Sequence, residues 1–161
     1  MRRRIIVLAA SAVVLLTGGL AVAQVAKEQG AQENHTPGLV ELMMVTQTHH
    51  SKLWLAGTAR NWRLADYQID EIKEQLETVS RKVPDYKGVP VGSMIDNLMS
   101  PPIAEIERAI KARDQRKFVA AFDKLTAACN GCHTGADRGF IVIQRPGFSA
   151  FPNQSFAPKK N

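Results

Sequence analysis

The chain has 161 residues, 45% of them hydrophobic and 22% charged, with 21 Lys and Arg against 15 Asp and Glu for a formal net charge of +6. That balance suits one globular domain and excludes a disordered, collagen-like or polytopic membrane chain. Two cysteines are too few for a disulfide framework.

Arg2, Arg3 and Arg4 form a basic start, an uncharged and mostly apolar run follows from Ile5 to Ala23, and that run ends on Ala21-Val22-Ala23. A basic cluster, an apolar stretch and a small-x-small end are the three parts of a secretory signal peptide. Residues 1–23 are therefore expected to direct export to the periplasm and to be cleaved near Ala23. The run is just long enough to cross a bilayer, so membrane attachment is expected only if it stays uncleaved. Cleavage leaves 138 residues with 18 basic against 15 acidic, a net of +3. The basic residues are scattered and form no stripe for nucleic acid.

Residues 24–36 are polar and aperiodic and read as a linker. From Pro37 the pattern turns helical. Leu39, Met43, Thr46, His50, Leu53 and Gly57 share one face, and Asn61-Trp62 breaks the segment. Ala65, Ile69, Ile72, Leu76 and Val79 make a second stripe that stops before Pro84. The stretch Val83–Ser100 reads as a loop long enough to be a crossover or to hold a short helix. Ser100-Pro101-Pro102 reads as an N-cap with prolines in the first turn, followed by Ile103, Ile106 and Ile110. Asp114 offers the next N-cap, and the fourth stripe is Phe118, Phe122, Leu125, Cys129 and Cys132. Four amphipathic segments predict an all-α chain, an antiparallel four-helix bundle over residues 37–134. Residues 135–161 read as an extended tail. In it Phe140-Ile141-Val142-Ile143 can lie along the bundle, and Phe148, Phe151 and Phe156 are candidate docking points.

Both cysteines fall in Cys129-Asn130-Gly131-Cys132-His133. This is C-x-x-C-H, the attachment signature of haem c. Thiols three positions apart on a helix lie on nearly the same side and can add to the two vinyl groups of one porphyrin. His133 then offers its imidazole as the proximal iron ligand. A dithiol oxidoreductase would need a βαβ setting, and a zinc site would need a second pair of ligands. A simple Cys129–Cys132 disulfide leaves His133 unexplained.

A C-x-x-C-H motif at the end of the last of four helices resembles the cytochrome c′ and cytochrome c556 family, as a divergent member or a neighbouring family. Here Thr134-Gly135-Ala136-Asp137-Arg138 follows the motif, with the basic residue one position later than usual. The resemblance implies an exported four-helix bundle with one covalently held haem c, with a homodimer as one form it takes. It also implies either a six-coordinate electron carrier or a five-coordinate iron that binds NO and CO.

In an up-down-up-down bundle the start of the first helix lies beside the end of the fourth. That brings Met43, Met44, His49 and His50 into consideration for the sixth position. His50 shares the core stripe and leads, with Met43, Met44 or no protein ligand as the alternatives. His49 reads as a flanking surface group. Trp54 and Trp62 serve either as porphyrin wall or as ordinary packing. Arg60, Arg63, Arg138 and Arg145 are candidate propionate partners. The expected function is electron transfer with periplasmic redox proteins, without enzymatic activity; a peroxidase would need distal acid–base groups, for which one histidine is thin support.

Overall fold

Residues 37–159 are described by the computed structural model. The expected leader (1–23) and linker (24–36) lie outside the described residues, as do the last two positions of the tail. Four helices follow one another: α1 (Leu39–Thr58), α2 (Trp62–Lys82), α3 (Val91–Lys111) and α4 (Gln115–Gly135). Among the described residues there is no strand, only an isolated bridge between Tyr86 and Val89. No helix among them is long and apolar enough to cross a membrane.

Local chemistry sets the helix ends. Asn61 caps α2 by accepting from Leu64 N–H at 3.3 Å. Asp114 caps α4 with one carboxylate oxygen, which accepts from Arg116 and Lys117 N–H at 3.0 Å each. Those bonds hold the Asp114 carboxyl below its ordinary pKa. The α1–α2 and α3–α4 turns close alike. Asn61 N–H reaches back to the Ala56 carbonyl, and Asp114 N–H to that of Ala109.

The expected stripes become the core. Ala65, Ile69, Ile72, Leu76 and Val79 of α2 are all buried, joined by Gln68. From α4, Phe118, Phe122 and Leu125 are fully buried, while Cys129 and Cys132 are half-buried against the edge of the same cluster. Leu42 replaces Met43 as the most buried residue in the first turns of α1, and Met43 packs beside it. Gly57 makes room for an aromatic ring, because a Cβ there would sit 2.0 Å from Phe118 Cζ.

α3 differs from its sequence reading. It starts at Val91, not Ser100, and carries Pro101 and Pro102 in its interior. An interior proline loses a backbone hydrogen bond and costs about 3 kcal/mol. Burial explains the outcome: Val91, Ile95, Met99, Pro102 and Ile106 form one continuous buried stripe at helical spacing. Asn97 and Leu98, whose carbonyls lose their donors, are exposed and open to water.

Consecutive helices pack side by side and α4 returns to α1, so the bundle closes as a ring. The α1–α4 pair runs antiparallel. Trp54 meets Phe118 and Phe122, one turn earlier His50 meets Phe122, and His50 also bonds Thr126. Of the four seams this one is the thinnest, and the tail lies along it. Arg145 forks onto Asp123 of α4 at 2.7 and 2.5 Å while its guanidinium sits 4.8 Å from the Trp54 ring of α1. Farther on, Lys52 covers the Phe151 ring, Phe156 packs on the core, and the Ala157 carbonyl accepts from Asn61 Nδ2–H. Phe148, the third expected docking point, is exposed instead.

Candidate functional site

The last two turns of α4 carry the C-x-x-C-H segment, and the helix persists through it to Gly135. Cys129 and Cys132 are unbridged thiols three positions apart on the side of α4 that borders the core. Burial, reinforced by the neighbouring Cys132, pushes the Cys129 thiol up to about 12. Burial also raises Cys132. Neither resembles the low-pKa cysteine of a dithiol oxidoreductase, whose reactivity depends on a stabilised thiolate.

His133 follows on the same turn. Its Nδ1 lies 2.9 Å from the Ile141 carbonyl. A carbonyl only accepts, so Nδ1 carries the hydrogen and the neutral ring keeps its lone pair on Nε2. Metal-ligating histidines are typically prepared in this way, with a backbone acceptor fixing the tautomer and the ring plane. The residues therefore fit a haem c: two adjacent thiols for the thioethers and an imidazole nitrogen presented as a donor.

The first turns of α1 and the tail expose several large apolar side chains. Val40 and Met44 at the start of α1 are 66% and 64% exposed, and Phe140 and Val142 in the tail are 79% and 69% exposed. Of the Phe140–Ile143 run only Ile143 is half-buried. From α3, Met94 approaches so closely that a Cβ on Gly135 would lie 2.8 Å from its Cε. Sequence periodicity gave no warning of Met94, because the segment containing it reads as a loop.

His50 lies elsewhere. It is 4% exposed, its ring lies tilted against Phe122 with centroids 4.5 Å apart, and its Nε2 is 2.9 Å from Thr126 Oγ1. The Thr126 hydroxyl spends its own hydrogen on the Phe122 carbonyl, so Nε2–H of His50 is the donor. Burial lowers the His50 pKa to about 4. Thr126 precedes His133 by seven residues, which at 1.5 Å per residue is about 10 Å of helix. Continuing the antiparallel register by that length places Met43, not His50, level with His133. Met43 is half-buried there and Met44 is exposed.

His49 is not a surface group. It turns into the α1–α2 groove, where its Nδ1–H donates to Gln68 Oε1 at 2.9 Å and its Nε2 faces Glu71 at 3.8 Å. Trp54 and Trp62 pack around Phe118 at the other end of the bundle. Phe118 precedes His133 by 15 residues, about 22 Å of helix, so these rings are ordinary packing. Arg60 and Arg63 sit at that same far end, and Arg145 is committed to Asp123. Of the four arginines considered, Arg138 stays beside the motif: its N–H donates to the His133 carbonyl at 2.7 Å. Compared with known proteins, the chain matches no family model, no curated protein and no solved structure.

Proposed function

We propose that this chain is an exported monohaem c-type cytochrome that transfers electrons, a divergent relative of the cytochrome c′ and c556 family. Cys129 and Cys132 hold the haem as thioethers, and His133 Nε2 is the proximal iron ligand. The observation that carries the reading is the Ile141 carbonyl on His133 Nδ1–H, which leaves Nε2 as the donor next to two unbridged thiols. When bound there, haem c supplies one-electron exchange between ferric and ferrous iron. The chain's own part is to hold that imidazole in one tautomer and to offer Val40, Met44, Phe140 and Val142 as apolar cover. In this reading the protein is a carrier and not an enzyme, works in the periplasm after cleavage near Ala23, and meets redox proteins there. Pairing as a homodimer belongs to the same family expectation.

A second reading, a five-coordinate gas-binding protein, is favoured by one observation: His50 is held at Thr126, about 10 Å of helix short of the level of His133. That leaves the thioether of Met43 or Met44, or no side chain, for the sixth position. Maturation with a c-haem assembly system tests both readings. A covalent haem lost in Cys129→Ala/Cys132→Ala supports the attachment, and its absence from the wild-type chain overturns it. A low-spin reduced spectrum unmoved by CO supports the carrier; a high-spin spectrum with a large CO shift supports the gas binder.

A further inference from the structure

The tail is fastened to the motif by a residue inside it. Asn130, between the two cysteines, makes a closed pair with the backbone of Ile143. Its Nδ2–H donates to the Ile143 carbonyl at 2.9 Å, and its Oδ1 accepts from the Ile143 N–H at 2.8 Å. Two residues earlier, the Ile141 carbonyl takes the Nδ1–H of His133.

Burial does not hold that segment in place. Phe140, Ile141 and Val142 are all exposed, so little packing restrains the Ile141 carbonyl. Hydrogen bonds do it instead. On the near side Arg138 N–H bonds the His133 carbonyl at 2.7 Å and Ile141 N–H bonds the Arg138 carbonyl at 2.8 Å. On the far side stands the Asn130 clamp. The clamp also specifies its residue type: a side chain that must donate to a carbonyl and accept from an N–H on one residue needs an amide, and aspartate only accepts.

We infer that Asn130 is a positioning residue for His133. By gripping Ile143 it stops the tail two residues past the Ile141 carbonyl and keeps that carbonyl on Nδ1–H. This fixes the plane of the ring and the lone pair on Nε2, and it makes Nε2 a stronger donor. The inference rests on the haem-binding reading for its redox consequence, but the hydrogen bond it concerns belongs to the chain itself.

The test uses the full chain after haem maturation, with Asn130→Ala, Asn130→Asp and Arg145→Ala. The first readout is solvent exchange of the His133 Nδ1–H, followed by NMR in the reduced state. We expect exchange to be at least about tenfold faster in Asn130→Ala, the factor about 1.4 kcal/mol of lost hydrogen-bond protection gives. Asn130→Asp keeps the acceptor, loses the donor and falls between. Arg145→Ala frees the tail farther along and leaves the exchange unchanged. The second readout is the reduction potential, which should rise in Asn130→Ala because a weaker donor stabilises the oxidised iron less. Limited proteolysis reports separately on tail release. Exchange and potential equal to wild type in Asn130→Ala, even with the tail cut faster, would make Asn130 a mere tether and overturn the inference. If the wild-type chain takes up no haem, the functional reading fails, while the same exchange measurement on the haem-free full chain still decides the role of Asn130.

Discussion

Replacing His50 with leucine should remove much of the pH dependence of the bundle's stability. In the unfolded chain an imidazole takes its proton near pH 6.5, whereas in the fold burial delays that step to about pH 4. Between those values the unfolded state binds the extra proton, so stability rises with pH. The contribution is whole above about pH 6.5 and declines as the pH falls toward about 4. Lowering the pKa from 6.5 to about 4 corresponds to about 3 kcal/mol, most of which is lost by about pH 4.5. Urea unfolding of wild type and His50→Leu at about pH 7.5 and about pH 4.5 isolates this share, because carboxylates titrate equally in both proteins. The variant starts less stable, having lost the Phe122 ring contact and the Thr126 bond, but it should lose roughly 2–3 kcal/mol less on acidification. Equal losses in the two proteins would refute the reasoning. A histidine on iron would also resist protonation, so the haem spectrum of the same variant is the second arm: an unchanged low-spin spectrum keeps His50 in the core, and a switch to high spin makes it the sixth ligand.

Thr126→Val should cost about 1–3 kcal/mol, since it strands the buried His50 N–H without an acceptor; the urea midpoint at neutral pH checks this. Gly57→Ala sets a helix-propensity gain of about 1 kcal/mol against overpacking of about 1–3 kcal/mol. Contact at 2.0 Å with a fully buried ring decides for the loss, so a raised Tm would contradict the packing. Asp114→Ala should lower Tm by removing the α4 cap, and Asp114→Asn should keep most of it because it retains an acceptor. As the folded pKa of Asp114 is depressed, the aspartate's advantage is present above the ordinary carboxylate pKa and fades as the pH falls through the folded value. Thermal melts at neutral and acid pH would show it. Cys129→Ala/Cys132→Ala should give a chain that binds a dye for exposed apolar surface more strongly than the matured wild type, because Val40, Met44, Phe140 and Val142 then stay uncovered; equal dye binding would count against their covering role.

The bundle was legible because its signal is periodic and local. Ala65, Ile69, Ile72, Leu76 and Val79 name the buried face of α2 by spacing alone, and Asn61 and Asp114 mark two helix starts by side-chain chemistry. α3 was legible only in its second half. Two prolines in sequence read as a start, and the stripe Val91-Ile95-Met99 before them is short enough to pass for loop. Only the shared buried face with Pro102 and Ile106 shows that packing carries the helix through both prolines.

The site divides along the same line. Cys129, Cys132 and His133 form a local motif, and their common helix follows from their spacing. What prepares His133 is not local in that sense. Its acceptor is a backbone carbonyl eight residues on, held by an amide inside the motif, and a carbonyl's direction leaves no mark on residue type. His50 shows the converse. Its place on the core stripe was readable, yet the stripe fixes only which way a side chain faces and not its height along the bundle. The height comes from the α1–α4 register, and that register is set by Trp54, Phe118 and Phe122 farther along the bundle. An aromatic cluster roughly 10–16 Å of helix before Cys129 thus decides that His50 meets Thr126 and that Met43 stands level with His133. If so, shifting that cluster should move the ligand question with it. Phe122→Leu removes the ring that both His50 and Trp54 lean on, at a cost of roughly 1–2 kcal/mol. It should loosen His50 from Thr126, raise the pKa of His50 toward its ordinary value in an NMR titration, and leave the covalent haem yield of Cys129 and Cys132 unchanged. A His50 pKa still near 4 in that variant would show that the register is held elsewhere.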